Sequence, residues 1–305
     1  MPPLQFSADV QAARDAGRPI VALESTIITH GMPWPRNLDM AQTVEGDIRD
    51  AGAVPATIAV MDGTIHVGLS EDQLTRLART PDALKLSRAD LAVALAGGHA
   101  GATTVAATMI CAHLAGIEVF ATGGIGGVHR GAEISFDISA DLQELAQTPV
   151  TVVAAGAKAI LDLPKTFEVL ETLGVPVIAY GQDALPAFWS RDAGLAAPLR
   201  LDSPQAIAQA HRMRARLRLP GGQLVANPIP PQAEIPAATL EPLIAQALAE
   251  AQAQGVAAKA VTPFLLSRIF DLTEGRSLAA NIALVRSNAR LAAQIAGALT
   301  DAARL

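Results

Sequence analysis

Val152-Val153-Ala154-Ala155-Gly156-Ala157-Lys158-Ala159-Ile160-Leu161-Asp162 sets one lysine just past a continuous apolar run, at the start of a helical pattern. A short apolar run of this kind reads as a buried strand. In open α/β sheets, ligands collect at the carboxyl ends of such strands. A lysine in that position is expected in a low-dielectric, helix-N-terminal setting that disfavours its charged form. A neutral lysine is a nucleophile that can form a Schiff base with a sugar carbon. The competing reading is a solvated lysine on a first helical turn.

The pattern repeats on both sides of this stretch. Pro19–Leu23, Ile117–Ala121, Val150–Ala154, Pro176–Tyr180 and Gln223–Ala226 read as strands. Pro35–Ala51, Glu71–Arg79, Gly101–Gly116, Phe167–Leu173, Gln205–Leu217, Leu240–Gln254, Pro263–Leu272 and Ser277–Ala303 read as helices. Ser70 stands where a helix N-cap is wanted. Pro55–Met61 and Thr64–Gly68 flank Asp62-Gly63, a hairpin signal. Leu91–Leu95 is apolar and strand-like. Strands alternating with helices predict an α/β fold whose sheet is mostly parallel, covered on both faces and mixed at the hairpin. Asn227-Pro228-Ile229-Pro230-Pro231 reads as a rigid connector inside one domain spanning residues 1–305.

Bulk composition narrows the function. Half of the 305 residues are hydrophobic and 17% are charged, with a mean hydropathy of +0.32. That fits a buried parallel sheet or a subunit that hides surface in an oligomer. A net charge of -6 and 3% aromatics argue against nucleic acid as a partner. Cys111 is the single cysteine, and its neighbours Met109 to Leu114 give it a place in a packed helix. The first residues carry no signal-peptide pattern, and no apolar run reaches membrane-spanning length. A cytoplasmic location, away from membranes, is expected.

Several other residues are candidates for chemistry. Glu24 follows the first strand directly, so its carboxyl group suits either acid/base work or the capping of a turn. Ala121-Thr122-Gly123-Gly124-Ile125-Gly126-Gly127-Val128-His129 also follows a strand, and its backbone N–H groups suit an anion or a tight turn. His129 stands where a dinucleotide fingerprint needs its third glycine, and no P-loop lysine follows. In Phe136-Asp137-Ile138-Ser139-Ala140-Asp141, Asp137 suits a hard divalent cation with water as the other ligands. Alternatively, Asp137 or Ser139 caps the helix from Ala140 to Ala146. His129 is a candidate neighbour of Asp137, although the six histidines show no zinc spacing. Lys85 and Arg88 fit either a phosphate or a solvated loop. Asn281 lies on an apolar helix, facing a ligand or a buried backbone group.

Taken together, these segments resemble the pseudouridine-5'-phosphate glycosidase family, also called indigoidine synthase A-like. Ala22–Pro35, Gly101–Thr108, Phe120–Leu145, Ala155–Leu163, Ala226-Asn227-Pro228 and Thr262–Leu266 carry the resemblance. It implies an α/β/α sandwich, a homotrimer, and reversible cleavage of the C–C bond of pseudouridine 5'-phosphate to uracil and ribose 5-phosphate. It implies Lys158 as covalent nucleophile, Glu24 as proton donor and Asp137 as holder of manganese or another hard divalent cation. Ser139, Ala140 and Asp141 are implied to contact substrate. Lys85 and Asn281 are implied as phosphate- or sugar-side ligands, and Val105 and Thr122 as pocket lining. A different Schiff-base sugar-phosphate lyase or aldolase, a non-enzymatic binding protein and a dinucleotide enzyme are the competing functions.

Overall fold

The computed structural model describes residues 2–256 and 260–303. In chain order its elements begin with Leu4–Phe6 (β1), Ala8–Asp15 (α1), Ile20–Leu23 (β2), Thr26–His30 (α2), Arg36–Asp50 (α3), Val54–Met61 (β3), Thr64–Val67 (β4) and Glu71–Ala78 (α4). Leu84–Leu86 (β5), Arg88–Ala96 (α5), Gly101–Thr103 (β6), Val105–Leu114 (α6), Val119–Ala121 (β7), Ala132–Ser135 (α7), Ala140–Gln147 (α8) and Thr151–Ala154 (β8) follow. The chain continues through Leu163–Thr172 (α9), Val177–Tyr180 (β9), Leu199–Leu201 (β10), Pro204–Arg216 (α10), Gln223–Ala226 (β11), Ala237–Ala253 (α11), Val261–Leu272 (α12) and Arg276–Ala303 (α13).

The strands form one mixed sheet in the order β1-β4-β3-β2-β7-β8-β11-β9-β10, with β6 and then β5 added beside β3. The pairings are parallel except β3–β4 and β3–β6. The β3–β4 hairpin turns at Asp62 and Gly63, both at positive φ (51° and 74°), as the sequence predicts. Helices α3 and α13 pack on each other, α13 also on β2, β7 and β8, and α6 packs on β2, β7 and α8. One apolar core runs through these layers, from Val10 to Leu299. Val152, Val153 and Ala154 lie at its centre with no exposed surface, which burial on both faces of a parallel strand requires. Cys111 is buried among them, and burial pushes its thiol up to about 12, so it serves packing. No helix among the described residues is long and apolar enough to cross a membrane.

Three sequence expectations need correcting, and three short strands went unread. Leu91–Leu95 is not strand-like but the interior of α5, whose start is fixed by the Asp90 carboxylate accepting from the Ser87 N–H at 2.8 Å. A short apolar run has no period of its own, and the cap decides it. Gly101–Gly116 is not one helix: Gly101–Thr103 pairs with β5 and β3, and Thr104 then caps α6. Lys158 does not open a helix, because residues 155–162 are irregular and α9 begins at Leu163 behind the Asp162 cap. The strands β1, β5 and β10 are three residues each, too short to show alternation.

An ion cluster around the buried Asp47 joins α3 to α13. Asp47 of α3 accepts from Arg286 Nε at 2.6 Å and from Arg290 Nη2 at 2.5 Å, both on α13. Burial alone raises the Asp47 pKa, but the two guanidiniums outweigh it and hold the carboxyl below its ordinary value. A depressed folded-state pKa contributes stability that is present above the unfolded value and lost as pH falls through the folded one. Asp47→Asn is therefore expected to cost about 2 kcal/mol at neutral pH. It should also flatten the acid side of the stability curve, read by urea melts from pH 7 down to pH 3.

Candidate active site

Three neighbouring strands deliver the central groups. Glu24 follows β2, Thr122 follows β7, and Lys158 stands four residues beyond β8, with β7 between the other two strands. The strand pairing continues past the sheet into the loops. Ile125 N–H donates to Gly156 O and Lys158 N–H to Ile125 O, both at 3.1 Å, and Asp162 N–H donates to Val128 O at 2.9 Å. The lysine is thus fixed by backbone ladder bonds to the glycine loop rather than by a helix.

Close approach explains the glycines. A Cβ on Gly126 would lie 2.7 Å from Ser139 Cβ and 2.8 Å from Asp141 Oδ2. Gly156 has φ +84°, and a Cβ there would lie 2.6 Å from Pro186 O. The space Gly126 leaves lets Asp141, 6% exposed, accept from Gly126 N–H at 2.8 Å and from Ala106 N–H at 2.9 Å. One carboxylate thereby pins the glycine loop to the first turn of α6, where a helix dipole favours negative charge. Ser139 caps α8 by accepting from Asp141 N–H at 3.2 Å. Both threonines beside Glu24 donate to it, Thr26 to Oε2 and Thr122 to Oε1. Two hydroxyl donors fix the carboxylate plane and leave lone pairs for further partners.

These groups face one cavity of about 320 Å³, the size of a small-molecule site. Glu24, Lys85, Val105, Asp137, Ser139, Asp141, Lys158 and Asn281 all line it. Two expected residues stand elsewhere. Thr122 is buried behind Glu24 and reaches the cavity through that carboxylate, and Ala140 is exposed on the first turn of α8, off the cavity wall. The cavity adds Thr26, His30 and Phe188, and Thr262, Pro263 and Leu266 from α12. His129, read from sequence only as a neighbour of Asp137, is also on the wall. His30 comes from a five-residue helix with no sequence signature, and Phe188 from a loop in which it adopts a left-handed φ of 60°.

Charge is concentrated here. Burial pushes the His30 pKa below its ordinary value, and Lys85 adds to the effect. Burial likewise lowers His129, with Asp137 opposing it and Lys158 and Lys85 adding to it. Lys85, Lys158, His129 and Asp137 therefore act within one field, a setting that suits an anionic ligand. Asn281 Oδ1 is buried without a hydrogen-bond partner, so an acceptor stands ready at the cavity wall. Asn288, about two turns further along α13, donates to Thr122 O at 2.8 Å and accepts from Asn227 at 2.9 Å. No cluster of three or more His, Cys, Asp or Glu able to hold a metal exists among the described residues. One carboxylate, Asp137, fits a hard divalent cation only in a mostly hydrated mode.

A family model described as "Indigoidine synthase A like protein" matches residues 9–298. A pseudouridine-5'-phosphate glycosidase of Jannaschia sp. (strain CCS1) is 72% identical over 298 residues, 98% of this chain and 99% of its own length. Another of that name, from Paracoccus denitrificans (strain Pd 1222), is 72% identical over 302 residues, with coverage of 98% and 99%. Among solved structures, the prealnumycin C-glycosynthase AlnA in complex with ribulose 5-phosphate superposes with a TM-score of 0.91 at 40% identity, covering 99% of this chain and 98% of that one. An indigoidine synthase A-like protein of Thermotoga maritima superposes with a TM-score of 0.89 at 33% identity, covering 98% and 97%.

Proposed function

The chain belongs to the indigoidine synthase A-like family, and from that premise we propose that it reversibly cleaves the C–C glycosidic bond of pseudouridine 5'-phosphate. The products are uracil and ribose 5-phosphate. The observation that carries this reading is the meeting of Glu24 and Lys158, from two strand ends, in one cavity with Lys85.

A C–C glycosidic bond offers no leaving-group oxygen to protonate, so a pair of carboxylates does not suffice. Glu24 gives its proton to the ring oxygen as the C1'–O4' bond breaks, and the Lys158 amine bonds to C1'. The Lys158 nitrogen returns a proton to Glu24, and as the C1'–C5 bond breaks, leaving the sugar as an iminium on Lys158, Glu24 passes that proton to uracil C5. Water hydrolyses the lysine adduct, freeing the Lys158 amine and ribose 5-phosphate. Lys85 is assigned to the phosphate, and phosphate binding orients the reacting carbon from a distance. Val105 and the Ser139–Asp141 turn are assigned to the substrate, and Asn281 to a substrate hydroxyl, which supplies the donor its Oδ1 lacks. Asp137 is the residue that would hold manganese or another hard divalent cation, which when bound supplies positive charge beside the substrate's oxygens.

A homotrimer and a cytoplasmic site of action belong to the same proposal. Ile134 and Phe136, 87% and 81% exposed beside Asp137, suit a subunit contact, and sedimentation equilibrium measures the assembly. The reaction is tested by incubating the protein with manganese, uracil and ribose 5-phosphate and following product by mass spectrometry. A C-linked pseudouridine phosphate is expected. Its absence from folded, manganese-loaded protein would move the assignment to another sugar-phosphate reaction.

A further inference from the structure

Asn288 of α13 is fully buried and lies off the cavity wall, yet both ends of its amide are engaged where the strands end. Its Nδ2 donates to Thr122 O at 2.8 Å and to Gly123 O at 3.4 Å, and its Oδ1 accepts from Asn227 Nδ2 at 2.9 Å. Backbone carbonyls only accept, so the amide must turn its NH2 toward them and its oxygen toward Asn227. Asn227 N–H donates in turn to Ala154 O at 2.8 Å, and its Nδ2 also to Ser287 Oγ at 3.1 Å. Through Thr122, Asn227 and Ala154, one side chain of α13 thus ties together the carboxyl ends of β7, β11 and β8.

The tie reaches both reacting groups. Thr122, whose carbonyl Asn288 holds, donates its hydroxyl to Glu24. Gly123 O, the second acceptor, also accepts from Ala155 N–H at 2.9 Å, at the start of the segment that carries Lys158. Helix α13 lies close against this turn, since a Cβ on Gly123 would stand 3.2 Å from Val285 Cγ2. Asn281, Val285 and Asn288 are spaced by four and three residues, so they share one face of the helix. The face that brings Asn281 to the cavity wall is therefore held in register with the glycine loop at Asn288.

We propose that Asn288 is a positioning residue of the active site. By holding Thr122 O it sets the Thr122 peptide, and with it the hydroxyl that aims the Glu24 carboxylate at the sugar ring oxygen. The inference rests on the reaction proposed above, in which Glu24 is the proton donor. Asn288 touches no substrate, so its contribution falls on kcat and not on KM.

Asn288→Leu keeps the size of the side chain and removes both donor and acceptor. It is expected to lower kcat about 10²-fold at nearly unchanged KM, the cost of a proton donor displaced by about 1 Å. Asn288→Asp is the conservative variant. Ionised, its carboxylate opposes two carbonyl oxygens; protonated, it again donates to Thr122 O and accepts from Asn227. Relative to wild type at pH 5.5, Asn288→Asp is therefore expected to exceed Asn288→Leu in kcat by about tenfold. A packing role predicts equal losses in both variants at every pH, and that result overturns the proposal. A crystal structure of Asn288→Leu reads the geometry without reference to activity. A Thr122 hydroxyl displaced from Glu24 supports the positioning role, and an unmoved one overturns it. If Asn288→Leu fails to melt cooperatively, Asn227→Ala takes its place, because it frees the amide of Asn288 and leaves Asn288 itself intact. A smaller loss of kcat at unchanged KM is then expected, and an unimpaired variant overturns the proposal. A wild-type chain inactive on pseudouridine 5'-phosphate overturns the parent reaction and the positioning role with it. An active wild type with a folded, unimpaired Asn288→Leu overturns the positioning role alone.

Discussion

Lys158→Ala is expected to abolish turnover, by more than about 10⁴-fold, in a protein that still folds. The size follows from the proposed chemistry, in which no bond forms to C1' without the amine. Folding survives because the lysine's backbone, not its side chain, carries the local order. Its N–H donates to Ile125 O, and Leu161 N–H donates to its carbonyl at 3.0 Å. Alanine keeps both bonds. Borohydride reduction with ribose 5-phosphate gives the decisive readout. A stable mass increase on Lys158 of the wild type, absent from the variant, is expected. A variant that keeps its activity, or a label on Lys85 instead, would end the lysine mechanism.

Glu24→Gln is expected to lower kcat by about 10³-fold and to leave KM nearly unchanged. The amide matches the carboxylate in shape, and its oxygen still accepts from a threonine hydroxyl, so binding is kept while the transferable proton is lost. The other threonine must turn its hydroxyl to accept from the amide N–H, a rearrangement that costs little because hydroxyls rotate freely. A fall in kcat and kcat/KM together marks a group used only in the transition state. Equal activity of Glu24→Gln and wild type across pH 6 to 8 would remove Glu24 from the proton-donor role.

Some of this was legible without coordinates. The hydrophobic runs at 20–23, 117–121 and 150–154 read as strands of a covered sheet, and they form β2, β7 and β8. Glu24 and Thr122 directly follow two of those runs, so their height above the sheet follows from strand ends alone. The Lys158 setting was read less well. Its segment has the composition of a helix start, but ladder bonds to residues 125 and 128 win over helix propensity there. Asp141 offers a similar lesson. The family resemblance implies a substrate contact for it, while its buried carboxylate is committed to two backbone N–H groups from distant elements.

By itself, the sequence determined the α/β class, the strand ends that carry Glu24, Thr122 and the lysine segment, and the family, because periodicity, caps and motif residues are local properties. Tertiary structure alone decided that β7 lies between β2 and β8, so that Glu24 and Lys158 share a cavity. It also decided that Ala140 lies off the wall of that cavity and that α12 and α13 line it. Strand order and helix docking are set by how whole apolar faces fit together, and no local run of residues encodes that fit.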